Sequence, residues 1–441
     1  MSHYKPYPAY KDSGVEWLGR VPEHWGIRTV KTLARLDGGA GFPDDEQGQS
    51  DNPIPFFKVA ELANGLRYTA NTVTEETATR LGAKIFPSST LVFAKVGAAL
   101  LLNRRCLLEM PACLDNNMMA LLPGTYESQW MFWAFSTLDM GLIANPGAVP
   151  SINQEQVGNI RLAVPTIAEQ KTIARSLKRE TARIDALIEK KTRFIELLRE
   201  KRQALITHAV TKGLDPNVKM KDSGVEWLGA VPEHWKLTPL KRLVSSIGQG
   251  WSPECESRPP DENEWGVVKV GCVNGGIFRP DESKALPAEM EPRPELGLKK
   301  GDVLVSRANT RELVGSCAVV PDDYPQLLLC DKLYRIGCGA DVTPEFLAAL
   351  IAVYGRRAVE IEATGASSSM VNIAQSVILD LVVAAPGKQE QDEIIDRIST
   401  ATARIDSLGS KTERSIELLK ERRSALITAA VTGQIDLRET A

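Results

Sequence analysis

The sequence predicts an α+β chain in which two globules of similar fold are separated by a long antiparallel two-helix coiled coil, laid out as an internal pseudo-twofold duplication. Three observations predict it. Residues 11–25, KDSGVEWLGRVPEHW, return at 221–235 as KDSGVEWLGAVPEHW, with Arg20 against Ala230 as the only difference. Two runs of helical periodicity, opening at Pro165 and Pro386, repeat one frame with 25 identities in 48 aligned positions. Between these signposts the chain is strand-like and broken by Gly, Pro and Asn. A single shift of 210 residues lies far outside the roughly 20–50-residue period of stacked solenoids, so it marks a duplicated domain.

Four segments follow: 1–164, the first block and globule; 165–213, a long helix; 214–385, the second block and globule; 386–441, a second long helix and tail. In the block, Asp12-Ser13-Gly14 is a turn signal and Trp17, Leu18, Val21 and Trp25 are apolar anchors. His24 and His234 have no nucleophile or carboxylate dyad nearby in sequence and read as capping or packing residues. In the first globule Phe56-Phe57-Lys58-Val59 and Leu91-Val92-Phe93-Ala94 read as strands and 127–142 as helical.

Thr166 and Glu169 fit a capping box, and a run free of proline and glycine then reaches Lys212 before Gly213 stops it. Leu177, Ile184, Leu198 and Leu205 form a heptad seam interrupted by Lys191, with Ile173, Leu187 and Phe194 expected on the companion positions. About 45 residues of helix would be about 68 Å long, too long to stand without a partner. The partner is the second run, where Ile398, Ile405, Leu419 and Leu426 keep the seam and Thr412 replaces Lys191. The second globule repeats the plan of the first: Val267-Val268-Lys269-Val270, then Val303-Leu304-Val305, then a helical stretch from Thr343 to Glu362. Few residues separate Gly213 from Lys221, and they span at most about 30 Å, so the second globule starts where the first helix ends and its own helix must run back. The two helices are expected to pair antiparallel with a globule at each end.

Composition narrows function. With 441 residues, 43% hydrophobic and 25% charged, the chain has the profile of a globular protein of two or three domains. The N-terminus lacks a signal pattern and no run approaches the roughly 18 apolar residues of a membrane span, so no membrane role and a cytoplasmic location are expected. Seven widely spaced cysteines, no C-x-x-C pair and four histidines argue for reduced thiols and against structural zinc. Net charge is -3, while residues 165–219 carry 13 Lys and Arg against 7 Asp and Glu. Any contact with nucleic acid must therefore come from local patches.

The repeated KDSGVEWLG-x-VPEHW block, the P-x-x-x-EQ helix starts (Pro165 to Gln170 and Pro386 to Gln391) and the ALIT helix ends together resemble the specificity subunits of type I restriction-modification enzymes. The resemblance implies that each globule is a target recognition domain reading one half of an asymmetric bipartite site in double-stranded DNA. It implies that the helix pair sets the gap and docks two methyltransferase subunits, and that restriction/translocase subunits complete the complex. S-adenosylmethionine, ATP and Mg are then expected in the partner subunits and no cofactor, metal or catalytic residue in this chain. Matching absences are visible: Gly409-Ser410-Lys411-Thr412 has the wrong spacing for a phosphate loop, and no Asn or Asp precedes Pro-Pro and an aromatic.

Base edges are read by Arg, Lys, Asn and Gln on loops. The candidates are Lys58, Lys95, Asn103, Arg104, Arg105, Asn116 and Asn117 in the first globule, and Lys269, Arg307, Asn309, Arg311 and Lys332 in the second. The glycine loops at Gly38 to Gly41 and Gly248 to Gly250 are candidates for close approach to phosphates. A two-headed protein adaptor without DNA reading, and a self-sufficient nuclease or methyltransferase, are the competing readings.

Overall fold

The computed structural model describes residues 4–226, 228–362 and 371–438, which leaves Trp227 of the second block outside the described residues. Two compact units form: residues 1–192 with 413–441, and residues 193–412. The division passes through both long helices, so packing does not follow the four sequence segments. Each helix contributes one half to each unit.

In unit one the block forms a hairpin, Tyr10–Asp12 against Arg20–Pro22. Asp12 Oδ1 accepts from Gly14 N at 2.8 Å, and Gly14 takes φ +63°, a conformation that favours glycine. Val21 and Trp25 are fully buried. The globule that follows is built on β1 (Leu36–Gly38), β2 (Ile54–Phe57), β3 (Leu91–Ala94), β4 (Arg105–Leu107), β5 (Cys113–Leu114) and β6 (Met118–Leu121). One antiparallel sheet has the order β1-β6-β3-β4, and β2 runs parallel to β5. Every residue of β3 and β6 is buried, which explains why LVFA and MMAL read as unbroken apolar runs rather than alternating ones. Helix α1 (Ser128–Ser136) buries Trp130, Met131 and Phe135, with Phe135 tilted on Phe93 at 5.6 Å.

The first long helix is α2 (Ile167–Lys212). Its predicted capping box is present: Glu169 N donates to Thr166 Oγ1 at 3.4 Å and Thr166 N to Glu169 Oε2 at 3.2 Å. Glu169 also meets His24, whose Nε2 lies 2.8 Å from Oε1. Burial pushes the Glu169 carboxyl up, but hydrogen bonds from His24 and Thr166 outweigh this and hold it below the usual carboxylate range. The neighbouring Gln170 Oε1 accepts from Glu127 N, ahead of α1, at 2.8 Å. The Glu-Gln pair of the motif thus ties the helix start to the block and to the globule.

In unit two the sheet strands are β7 (Val244–Gln249), β8 (Gly266–Val268), β9 (Val303–Ser306), β10 (Cys317–Val319), β11 (Tyr324–Leu328) and β12 (Leu333–Cys338). The order β7-β12-β9-β10 is antiparallel throughout, and β8 runs parallel to β11. Position for position this is the strand order of unit one. Helix α3 (Pro344–Glu362) covers the predicted helical stretch, and α4 (Lys388–Val431) is the second long helix. His234 Nε2 lies 2.8 Å from Glu390 Oε2, Trp235 Nε1 donates to Glu390 Oε1 at 3.0 Å, and Gln391 Oε1 accepts from Thr343 N at 2.9 Å.

Each block also grips the end of the other helix. Gly433, at φ +75°, lies so close to Pro22 and Trp25 that a Cβ would sit 2.3 Å from Pro22 Cδ. Gly213, at φ +78°, lies under Trp235 and Pro232. Both are left-handed residues just past a helix C-terminus. The helices run antiparallel within each unit: Arg438 meets Glu169 at 3.4 Å and Arg423 meets Asp185 at 2.8 Å in unit one, while Arg202 meets Asp406 at 3.3 Å in unit two, where the start of α4 lies beside Gly213.

The pair fits a coiled coil, with one change from the expected register. Leu177, Ile184 and Leu198 and the companion Ile173 are buried as predicted and Leu205 is partly buried, but the companions further along are Thr181, Ile188 and Ile195, whereas Leu187 and Phe194 are 48% and 43% exposed. Leu187-Ile188 and Phe194-Ile195 are adjacent apolar pairs, so the sequence offered two rows one residue apart, each alternating three and four residues with the seam, and the row of Ile188 and Ile195 is the one that packs.

Candidate nucleic-acid interface

In each unit one end of the four-stranded sheet leads to the long helix, and the other, open to solvent at Asn116 in unit one and at Lys332 in unit two, gathers loops. At the helix-side end of unit one, Leu122 N bonds Arg35 O and the chain passes to α1 and Gln170. At that of unit two, Gly339 N bonds Leu243 O and the chain passes to Thr343 and Gln391. The open end gathers the loops after β1, β2 and β3 and the turn between β5 and β6, with their counterparts in unit two.

In unit one Asp115 organises this end. It is 6% exposed and accepts from Val59 N at 2.8 Å and Asn117 N at 3.0 Å, which ties the β2 loop to the β5–β6 turn. Burial raises its carboxyl above the usual range against the lowering effect of those bonds. Lys95 N bonds Asn117 O at 2.9 Å, and Lys95 Nζ lies 3.6 Å from where a Cβ on Gly38 would stand. The Lys58 ammonium donates to Gln47 Oε1 at 2.8 Å. Lys58, Lys95, Asn116 and Asn117 are therefore brought together. Arg104 joins them through its carbonyl, which accepts from Ala94 N at 3.2 Å. Among the described residues, Lys95, Arg104 and Asn116 side chains have no hydrogen-bond or ion-pair partner.

The other two candidates of unit one are engaged within the fold. Asn103, at φ +52°, accepts from Met140 N at 2.7 Å and donates to Asp139 at 3.1 Å. Arg105 donates from Nε to Asn103 O and from Nη2 to Leu138 O. Burial pushes its guanidinium down to about 10.

In unit two Arg307 N bonds Lys332 O at 3.0 Å, as Lys95 bonds Asn117. The Arg307 guanidinium donates to Asp331 O at 3.1 Å and lies over the Tyr334 ring at 5.6 Å. Lys269 follows β8 as Lys58 follows β2 and approaches Glu282 at 3.7 Å. Asn309 is 9% exposed, with its amide held by Ser306 Oγ and Thr310 N. Arg311 is exposed and partnered, and Lys332 is exposed.

The glycine loops divide by role. A Cβ on Gly39 would lie 1.9 Å from Asp115 O, and one on Gly250 would lie 2.0 Å from Leu329 O, so these glycines answer to the protein's own backbone. Gly41 and Gly248 face open space. Sequence reading overlooked Asp115 and Gln47. An Asp immediately before Asn-Asn between two apolar strands was the available signal for the first; nothing local marked the second.

No group of His, Cys, Asp and Glu that would hold a metal occurs among the described residues, the seven cysteines are free, and no described helix is long and apolar enough to cross a membrane.

The sequence profile of the type I restriction modification DNA specificity domain matches residues 22–197, the first globule and much of α2. The EcoKI specificity subunit of Escherichia coli strain K12 is 22% identical over 95% of this chain and 90% of its own length. Residues 22–197 belong to the type I restriction modification DNA specificity domain family, and the chain over nearly its whole length is similar to type I specificity subunits. The EcoEI specificity subunit of Escherichia coli is 29% identical over 46% of this chain and 34% of its own length. In fold, this chain is similar to a chain from a structure of the type I R-M system, with TM-score 0.71 at 14% identity over 94% of this chain and 99% of that one. The HsdS subunit from Thermoanaerobacter tengcongensis follows at TM-score 0.52 and 14% identity, over 94% and 98% of the two chains.

Proposed function

We propose that this specificity subunit is the DNA-reading, non-catalytic part of a cytoplasmic restriction-modification complex, each unit reading one half of an asymmetric bipartite site in double-stranded DNA. The observation that carries the reading is the open sheet end found in both units, where one backbone arrangement presents different cations and amides. Lysine, arginine, asparagine and glutamine carry the donors that match groove edges, and differing sets would read different half-sites. The antiparallel helices would set the gap between the halves. They would also dock two methyltransferase subunits, for which the exposed Leu187, Phe194, Leu197, Leu408 and Leu418 offer apolar contact outside the seam. S-adenosylmethionine would be held by those subunits, and ATP and Mg by restriction/translocase subunits.

Co-expression with the methyltransferase partner, followed by genome-wide mapping of N6-methyladenine, tests the reading. Methylation of one bipartite sequence is expected, together with binding of the assembled complex to that sequence that weakens steeply with salt. Sequence-blind, salt-indifferent binding would instead indicate a two-headed adaptor, and methyl transfer by this chain alone would overturn the non-catalytic assignment.

A further inference from the structure

We infer that the two-residue turn Asn116–Asn117 and its counterpart Asp331–Lys332 are specificity-determining, and that they make the half-site of unit one read A·T where that of unit two reads G·C. The inference rests on the DNA-reading role proposed above.

The correspondence is fixed by backbone hydrogen bonds. Ala40 N to Leu114 O at 2.9 Å is matched by Trp251 N to Leu329 O at 2.9 Å. Met118 N to Asp115 O and Leu333 N to Cys330 O are both 3.2 Å. Lys95 N to Asn117 O and Arg307 N to Lys332 O follow, and Ile152 N to Lys95 O and Ile373 N to Arg307 O are both 2.9 Å. Gly39 and Gly250 press on the same turn from the strand beside it. One backbone path is thus held by the same bonds in both units, which leaves side chains as the variable.

Those side chains differ in kind. Asn117 is engaged with buried Asp115, which leaves exposed Asn116, an amide that donates and accepts. In unit two Asp331 accepts from Ser252 Oγ, which leaves exposed Lys332, a donor with a full charge. Neither Asn116 nor Lys332 has a side-chain hydrogen-bond or ion-pair partner among the described residues. An amide pairs bidentately with the N6 and N7 of adenine, whereas an ammonium donates to the O6 and N7 of guanine. The same turn therefore presents an adenine reader at its first position in unit one and a guanine reader at its second position in unit two.

The test is the methylation map of complexes co-expressed with Lys332→Ala, Lys332→Arg, Asn116→Ala and the unaltered chain. The unaltered chain should give one bipartite sequence; its failure to do so would sink the DNA-reading proposal itself. Lys332→Ala should relax one G·C pair in one half by roughly ten- to hundredfold, with the other half unchanged. Lys332→Arg should retain the guanine, and Asn116→Ala should relax an A·T pair in the opposite half. Unchanged halves in both alanine variants would overturn the inference. So would a uniform loss of methylation from a folded, assembled complex, because that pattern marks a phosphate contact.

Discussion

The two units share the main ties of one frame and diverge where the frame is open. His24 and His234 meet Glu169 and Glu390 at the same 2.8 Å, Gln170 and Gln391 hold the chain entering α1 and α3, and Gly433 and Gly213 end the partner helices under Pro22 and Pro232. At the open sheet ends only backbone bonds are common: Asp115 stands where Cys330 stands, and Asn116–Asn117 where Asp331–Lys332 stand. The contrast teaches how one scaffold carries two surfaces. Residues that fix the backbone are held to a type by steric and hydrogen-bond demands, and residues that face outward are not.

The largest effect should come from the sheet-end glycines. Gly39→Ala and Gly250→Ala each drive a Cβ into a carbonyl oxygen, and overpacking of this kind costs on the order of 3 kcal/mol. Gly41→Ala and Gly248→Ala meet nothing within 4 Å and should stay within about 0.5 kcal/mol of the parent. Denaturant melts of the four variants measure the difference; equal losses would mean that the carbonyl clash is not what holds Gly39 and Gly250 to glycine.

Next come the histidine clamps, which should differ between units. The side chain of Glu169 is 7% exposed against 31% for Glu390, and Glu390 keeps its bond from Trp235. Glu169 keeps Thr166 and Arg438 beside it, so burial is the difference between the two clamps: His24→Ala should cost about 1–2 kcal/mol, and His234→Ala about 1 kcal/mol or less. Losses of equal size would remove burial as the cause. The same site predicts an acid limb. Glu169 is held below the usual carboxylate range by His24 and Thr166 against the upward push of burial, and Asp436 by Arg438 against the same push. A depressed carboxylate stabilises the fold above its unfolded value, and the contribution is lost as pH falls through the folded value. Glu169→Gln should shallow the fall of melting temperature with acid; an unchanged slope would assign the acid limb elsewhere.

Much of this frame was legible in the sequence because it is local. Thr166 and Glu169 announce a cap by spacing, Gly213 a helix end, and the short link to Lys221 an antiparallel return. The open sheet end was only partly legible. Asn103, Arg105 and Asn309 have the composition of base readers, yet their donors and acceptors are engaged by backbone groups and side chains of their own fold. Residue type states what a side chain can bond, and tertiary packing decides whether that capacity is left free. Leu187 and Phe194 failed for a related reason: helical spacing locates an apolar row to within one residue, and only the partner helix selects between neighbours.

The smallest effect on stability is expected at the outer members of those adjacent pairs, and the contrast with their buried neighbours separates seam from stripe. Ile195 is buried in the seam while Phe194 and Leu197 stand outside it. Ile195→Ala should cost about 2–4 kcal/mol as a cavity in a packed row, whereas Phe194→Ser and Leu197→Ser should change the melt by less than about 0.5 kcal/mol. The outer pair nonetheless carries the docking proposal, because large apolar side chains exposed on a helix that already has a partner call for a second one. Retention of the methyltransferase by tagged Phe194→Ser/Leu197→Ser chains is the measurement. Stable chains that no longer retain it would place the partner on the stripe. Full retention would move the dock off this stripe and leave the two residues as isolated surface hydrophobics.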